Sequence, residues 1–148
     1  MNVEEARRRF AAAKVARLAS AAADGRPHLV PVVFAVGGNP LDGDRIYSVV
    51  DSKPKRTTAL KRLANIRENP FAAMLVDHYD DADWSGLWWV RADGRGRVLA
   101  LQQPEAQHAL ALLRERYPQQ QPVGVVLAVD VQRWSGWSAS DAGPNPAL

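Results

Sequence analysis

The chain has 148 residues, 47% hydrophobic and 24% charged, the balance of an ordinary globular protein rather than of a disordered or collagen-like one. It contains no cysteine, which excludes a disulfide scaffold, a thiol nucleophile, a cysteine zinc site and an iron–sulfur cluster. Nineteen Lys and Arg against 16 Asp and Glu give a formal charge of +3, and that charge is unevenly placed. Residues 53–68 hold Lys53, Lys55, Arg56, Lys61, Arg62 and Arg67 against Glu68 alone, a local +5 that leaves −2 for the remainder. One basic segment in an otherwise slightly acidic chain points to a seat for an anion.

In chain order, Asn2 and Glu5 have capping-box spacing, and Ala6, Phe10 and Ala13 share one face of an N-terminal helix. Val15–Ala21 alternates as a strand and runs into Asp24-Gly25, a hairpin turn. His28–Val36 reads as the returning strand, 37–43 as a glycine-rich connection, and Arg45–Val50 as a third strand. From Thr57 to Glu68 the period becomes helical, and Asn69-Pro70 ends it, because a residue before proline is pushed out of the α region. Phe71–His78 is a buried-type strand, and an acidic loop with Asp80, Asp81 and Asp83 follows. Gly86–Leu101 reads as a strand pair or one bulged strand around Asp93-Gly94, and Pro104 opens a helix that Pro118 ends. Val123–Val131 and Arg133–Ser140 complete the chain as two strands, with 141–148 as a loose tail. Hairpin connections without βαβ alternation predict one domain, 1–140, mainly β with peripheral helices, folded as a mostly antiparallel barrel.

No apolar run reaches the roughly 18–20 residues of a membrane span, and the first residues do not read as a signal peptide. A cytoplasmic protein is the expectation. Lys53 to Thr58 lies directly before a helix, where free backbone N–H groups and the helix dipole favour an anion. Lys61 and Arg62 follow one turn later; the plainer reading is a solvated basic loop with Thr57 as a helix cap. The segment lacks the GxxxxGK[ST] spacing of a Walker loop. Trp88 and Trp89 are adjacent, and Trp134 and Trp137 are three apart, so on strands each pair faces opposite ways. That implies large aromatics on both faces of a sheet, one face covered by a second subunit or a planar ligand, or else plain packing. Asp77, His78 and the acidic loop match no EF-hand spacing, and His28 and His108 have no serine elbow or zincin companion. The clustered rather than striped basic charge argues against nucleic acid.

Several stretches carry a resemblance when taken in order: Asp24-Gly25-Arg26-Pro27, Pro31-Val32-Val33-Phe34, Tyr47-Ser48-Val49, the basic helix, Asn65 to Pro70, and Ala73 to Asp77. This series resembles the pyridoxamine 5′-phosphate oxidase-like split-barrel superfamily. The stretches Val76 to Tyr79, Leu87 to Gly94 and Trp134 to Ala139 are similar to its actinobacterial branch of coenzyme F420-dependent oxidoreductases. The resemblance spans about residues 4–140. It implies a split barrel, a homodimer with cofactor sites in grooves between subunits, and hydride transfer between F420 and a quinone- or enone-like small molecule. FMN is the alternative cofactor, and a non-catalytic cofactor-binding protein the alternative role. It also implies phosphate contacts at Lys55, Arg56, Thr57, Lys61 and Arg62. Ring contacts would fall at Pro31, Val32, Val33, Ser48 and Val49, with Trp88 and Trp137 on the opposite wall. Tyr47, His78 and Tyr79 are the proton-donor candidates, and no catalytic acid is required. No counterpart of the C-terminal arginine motif of full-length pyridoxamine phosphate oxidases is present, which makes vitamin B6 oxidation a minor reading.

Overall fold

The computed structural model describes residues 1–39, 41–51, 57–119 and 124–141, with side chains for all of these except 51 and 57–60. Pro40, residues 52–56 with Lys55 and Arg56, residues 120–123 and residues 142–148 lie outside the described residues, as does the side chain of Thr57. Helix α1 spans Val3–Ala12, and Asn2 caps it as its spacing predicts, its side-chain oxygen accepting from the Glu5 N–H at 2.8 Å. Ala6 and Phe10 on the inner face of α1 are fully buried. Strands β1 (Ala16–Ala21) and β2 (Pro27–Val32) form the expected hairpin, with Gly25 at φ +86° in its turn.

The predicted strand His28–Val36 is two strands. β2 ends at Val32, and β3 (Ala35–Asn39) leaves to pair with β4 (Gly43–Asp51), so part of the expected 37–43 connection is itself strand. The break has a physical cause at Phe34. Its ring is fully buried, and its backbone N–H donates to the Tyr117 hydroxyl at 3.3 Å instead of to a neighbouring strand. That hydroxyl in turn faces the Lys14 carbonyl at 2.8 Å and the Phe34 carbonyl at 3.0 Å. Helix α2 (Thr57–Glu68) and strand β5 (Phe71–His78) fall where the pattern puts them. A short 3-10 turn, Trp84–Gly86, is capped by Asp83, whose carboxylate accepts from the Ser85 N–H at 3.0 Å.

The stretch after it is one strand, β6 (Trp88–Leu99), and α3 spans Pro104–Arg116 with proline in its first turn. The two strands expected at the end are a single one, β7 (Gly124–Ser138). Between Asp93↔Arg133 and Gly94↔Val131 the register slips, so Gln132 is absorbed as a bulge rather than ending the strand. The seven strands form one antiparallel sheet in the order β2-β1-β5-β6-β7-β4-β3, with β2 and β3 at its two ends although only residues 33 and 34 separate them in sequence. That closes the sheet into a split barrel.

Alternation along β4 and β7 builds two cores. Ile46, Val50, Leu127 and Val129 point into the barrel with Phe10, Leu18, Phe34, Met74 and Val90. Tyr47, Val126 and Ala128 point the other way, onto Ala106, Ala109, Leu110 and Leu113 of α3. A charged clamp fastens α3 beside that second core. Arg97 on β6 donates to both Asp130 oxygens at 2.6 and 2.9 Å and to both Glu105 oxygens at 2.9 and 3.0 Å. The Tyr47 hydroxyl adds a hydrogen bond to Glu105 at 3.0 Å. Among the described residues, no helix is long and apolar enough to cross a membrane.

Two outcomes test this packing. A Cβ at Gly94 would sit 2.1 Å from the Asp130 carbonyl oxygen, so Gly94→Ala should lower unfolding stability in urea by about 2 kcal/mol or more. Hydrogen bonds from Arg97 hold the Glu105 carboxyl below its ordinary value, so its stabilisation is present above the ordinary glutamate range and is lost as pH falls through the lowered value. Glu105→Gln should therefore cost about 1–3 kcal/mol at neutral pH, and less than that in acid.

Candidate functional site

The two ends of the sheet leave backbone edges without a strand partner among the described residues. One is the outer edge of β2; the other is β4 beyond Tyr47, where its pairing with β3 stops at Ala35↔Tyr47. Pro31 to Val33 and Ser48-Val49 lie on these edges, and the short link through Phe34 holds them together at the split. Their side chains divide between environments. Pro31 is exposed, Val33 half-buried, Val32 and Ser48 buried, and Val49 packs toward the α3 core. The side chains of Val32, Ser48 and Val49 are thus turned into the packing.

Beneath α2 lies a polar patch. Buried Asn65 reaches the buried Ser20 hydroxyl at 3.4 Å, and Ser20 is the cross-strand partner of His28. His28 Nδ1 and Arg62 Nε are both buried without a hydrogen-bond partner. Burial first, and then the charges of Lys61 and Arg62, push the His28 imidazole below its ordinary value, so it is neutral at pH 7. Burial also lowers the Arg62 guanidinium, and among the described residues neither Lys61 nor Arg62 forms an ion pair. A pair of cations beside a neutral imidazole, with two buried nitrogens unsatisfied, is the chemistry of an anion seat. The residues present fit a phosphate-bearing cofactor at this point.

On the other face of β1, β5 and β6 is a groove of about 660 Å³, walled by Leu29, Leu75, Leu87, Trp88, Trp89 and Trp137. Arg17 and Asp77 form an ion pair there at 3.3 Å, and the His78 ring stacks on Trp88 with centroids 6.2 Å apart. The expected division of the tryptophans is found: Trp88 packs against the barrel core beneath Arg9, and Trp89 lies opposite Trp137 across the strands. Trp137 lies in the groove, while Trp134 turns inward onto Phe10 and donates to Asp44 at 2.9 Å. Of the sequence-predicted residues, the structure places Trp88 and Trp137 at the groove on opposite faces of the ladder, Lys61 and Arg62 together beside His28, and Pro31 to Val33 and Ser48-Val49 at the two ends of the sheet. Because His28 and Leu29 are adjacent on β2, the cation patch and the groove lie on opposite faces of that edge strand. His78 and Tyr79 line the groove, whereas Tyr47 is committed to Glu105 on the far side.

His28, Leu29 and Arg91 are the site residues that pattern reasoning missed. The available signal for His28 was its place opposite Ser20 in the Asp24-Gly25 hairpin, which puts it on the face that α2 covers.

The chain matches the family profile described as pyridoxamine 5′-phosphate oxidase over residues 3–138. No curated protein matches it. Among solved structures it is similar to a conserved hypothetical protein of Mycobacterium tuberculosis, at 20% identity and TM-score 0.69, covering 100% of this chain and 95% of that one. It is also similar to a protein of Mesorhizobium loti described as FAD-binding, at 24% identity and TM-score 0.67, covering 92% and 94%. A third neighbour is the heme storage protein of Vibrio cholerae, at 15% identity and TM-score 0.64, covering 93% and 95%. These likenesses establish a shared fold. With the profile spanning nearly all of the barrel, the chain belongs to the pyridoxamine 5′-phosphate oxidase family.

Proposed function

We propose that this protein is a coenzyme F420-dependent oxidoreductase acting on a conjugated, quinone- or enone-like small molecule. The observation that carries the reading is the patch where the unpaired cations Lys61 and Arg62 meet a neutral His28, in a barrel of this family. F420 bears a phosphate and an acidic tail, and the +5 segment that supplies Lys61 and Arg62 is a landing site for that charge.

Lys61 and Arg62 would hold the phosphate; Lys55, Arg56 and the side chain of Thr57, the other candidates, lie outside the described residues. Pro31 and Val33, with the backbone of Val32, Ser48 and Val49, support the ring along the split. When bound, F420 supplies a hydride from its reduced ring carbon C5 to an electron-poor carbon of the acceptor, and is itself oxidised by two electrons. The reduced acceptor takes up one proton. His78 and Tyr79, both on the groove, are the candidates to supply that proton, the Tyr79 hydroxyl donating to Asp81 at 3.1 Å.

A homodimer belongs to the same reading. The outer sheet face exposes Leu29 at 67%, Phe71 at 59% and Leu75 at 36%, an apolar surface suited to a second copy, with Trp88 and Trp137 walling the shared groove.

FMN is the second cofactor reading, since its phosphate meets the same cations and the Mesorhizobium loti neighbour is described as FAD-binding. The Vibrio cholerae neighbour's storage role keeps a non-catalytic cofactor-binding protein as the reading if no turnover occurs.

Fluorescence and calorimetric titration with F420, and separately with FMN, test the cofactor. Binding of F420 supports the proposal; tight FMN binding with no F420 binding replaces it with the second reading. Arg62→Ala together with Lys61→Ala should weaken F420 binding by about tenfold to a hundredfold and flatten its salt dependence, because attraction between accessible charges is screened. An unchanged affinity would remove the phosphate from this patch. Sedimentation at micromolar concentration should give a dimer; a 16.2 kDa monomer contradicts the shared groove.

A further inference from the structure

The outer face of β6 and β7 carries hydrogen-bond donors that neither the fold nor the cofactor reading uses. Ser135 Oγ and Trp137 Nε1 are both buried and both without a partner. Two residues apart on β7, they share a face, with Arg91 opposite Ser135 and Trp89 opposite Trp137. An indole N–H can only donate, and a hydroxyl can donate to any acceptor that arrives, so the pair is set for an oxygen-rich guest.

These donors lie where two hollows meet. The apolar groove contains Trp137. An adjoining pocket of about 480 Å³ contains Ser135, Arg133 and Asn2, and the two hollows share Trp89 and Arg91. Arg91 is held by Asp93 at 2.9 Å, whereas Arg133 is exposed and forms no ion pair among the described residues. The N-terminal amine beside this pocket is already committed to Asp141 at 2.6 Å. Two guanidiniums against one carboxylate leave a single positive charge for the guest to neutralise. That suits a monoanion better than a phosphate dianion. The groove walls specify the rest of the molecule: Leu75, Trp89 and Trp137 accept a flat apolar body.

We propose that groove and pocket form one site for a planar conjugated carboxylic acid, its ring among Leu75, Trp89 and Trp137 and its carboxylate on Ser135 and Arg133. Taking this acid as the molecule reduced, rather than merely bound, rests on the oxidoreductase reading above.

The test uses 1-naphthoate and its neutral counterpart 1-naphthalenemethanol as probes of the full-length protein without added cofactor, followed by tryptophan fluorescence and equilibrium dialysis. Naphthoate should bind about tenfold more tightly than the alcohol, the effect of one charge-assisted contact. Arg133→Ala should abolish that preference while leaving the alcohol's affinity unchanged, and Arg133→Lys should restore part of it. Ser135→Ala should reduce the preference with Arg133 intact. Equal affinity for the two probes, or a preference indifferent to both substitutions, overturns the proposal. Because no cofactor is present, a protein that prefers naphthoate yet binds neither F420 nor FMN keeps this site and loses the oxidoreductase reading. One that binds F420 but shows no preference loses this site alone.

Discussion

The sheet is built outward from β7, whose direct neighbours are β6 and β4. Residues Val126 to Asp130 are hydrogen-bonded on both sides, to β6 along one edge and to β4 along the other. A strand so enclosed satisfies its backbone groups only if both partners stay in register, so β7 fixes β6 against β4. β6 then positions β5, β5 positions β1, and β4 positions β3. The two residues between β2 and β3 bring the ends of the sheet together, but among the described residues the two strands do not pair with each other. The split is therefore a consequence of the ladder, and the free edges near Val33 and Ser48 are where it opens.

Charge follows the same logic. Around α3 the ions are balanced: Arg45 and Arg97 face Glu105 and Asp130, and they fasten a helix. Around α2 they are not. Lys61 and Arg62 have no acid among the described residues, and a neutral His28 sits with them. The charge of the described residues thus includes a balanced structural network around α3 and a local excess on α2.

Much of this could be seen in the sequence where a residue acts locally. Asn2 caps α1, Asp24-Gly25 turns the first hairpin, and Pro104 opens α3, because each effect is decided within a few residues. The misreadings arise where distant residues decide. His28–Val36 is an unbroken apolar run, and nothing in it shows that Tyr117 will take the Phe34 backbone and split the strand. Gln132 looks like a strand end, yet β6 carries the ladder past it as a bulge. The basic segment was legible as charge, and its helix as a period. The meeting of Lys61 and Arg62 with His28 was not, because it depends on how α2 docks on β1 and β2. The groove was half legible: adjacent tryptophans announced two covered faces, while the contributions of Leu29 and Arg91 come from strand order alone.

The central claim is that the cofactor's anionic end sits on the α2 patch beside a neutral imidazole. An anion placed there favours the protonated ring, so binding must draw a proton onto His28. Calorimetry of F420 binding in two non-anionic buffers of different ionisation enthalpy, near the ordinary histidine value of about pH 6.5, reads that proton directly. The account predicts net proton uptake in the native protein, affinity that rises as pH falls from about 8 to 6, and loss of both in His28→Gln. Binding with identical heats in the two buffers, and with an affinity indifferent to pH and to His28→Gln, would contradict it.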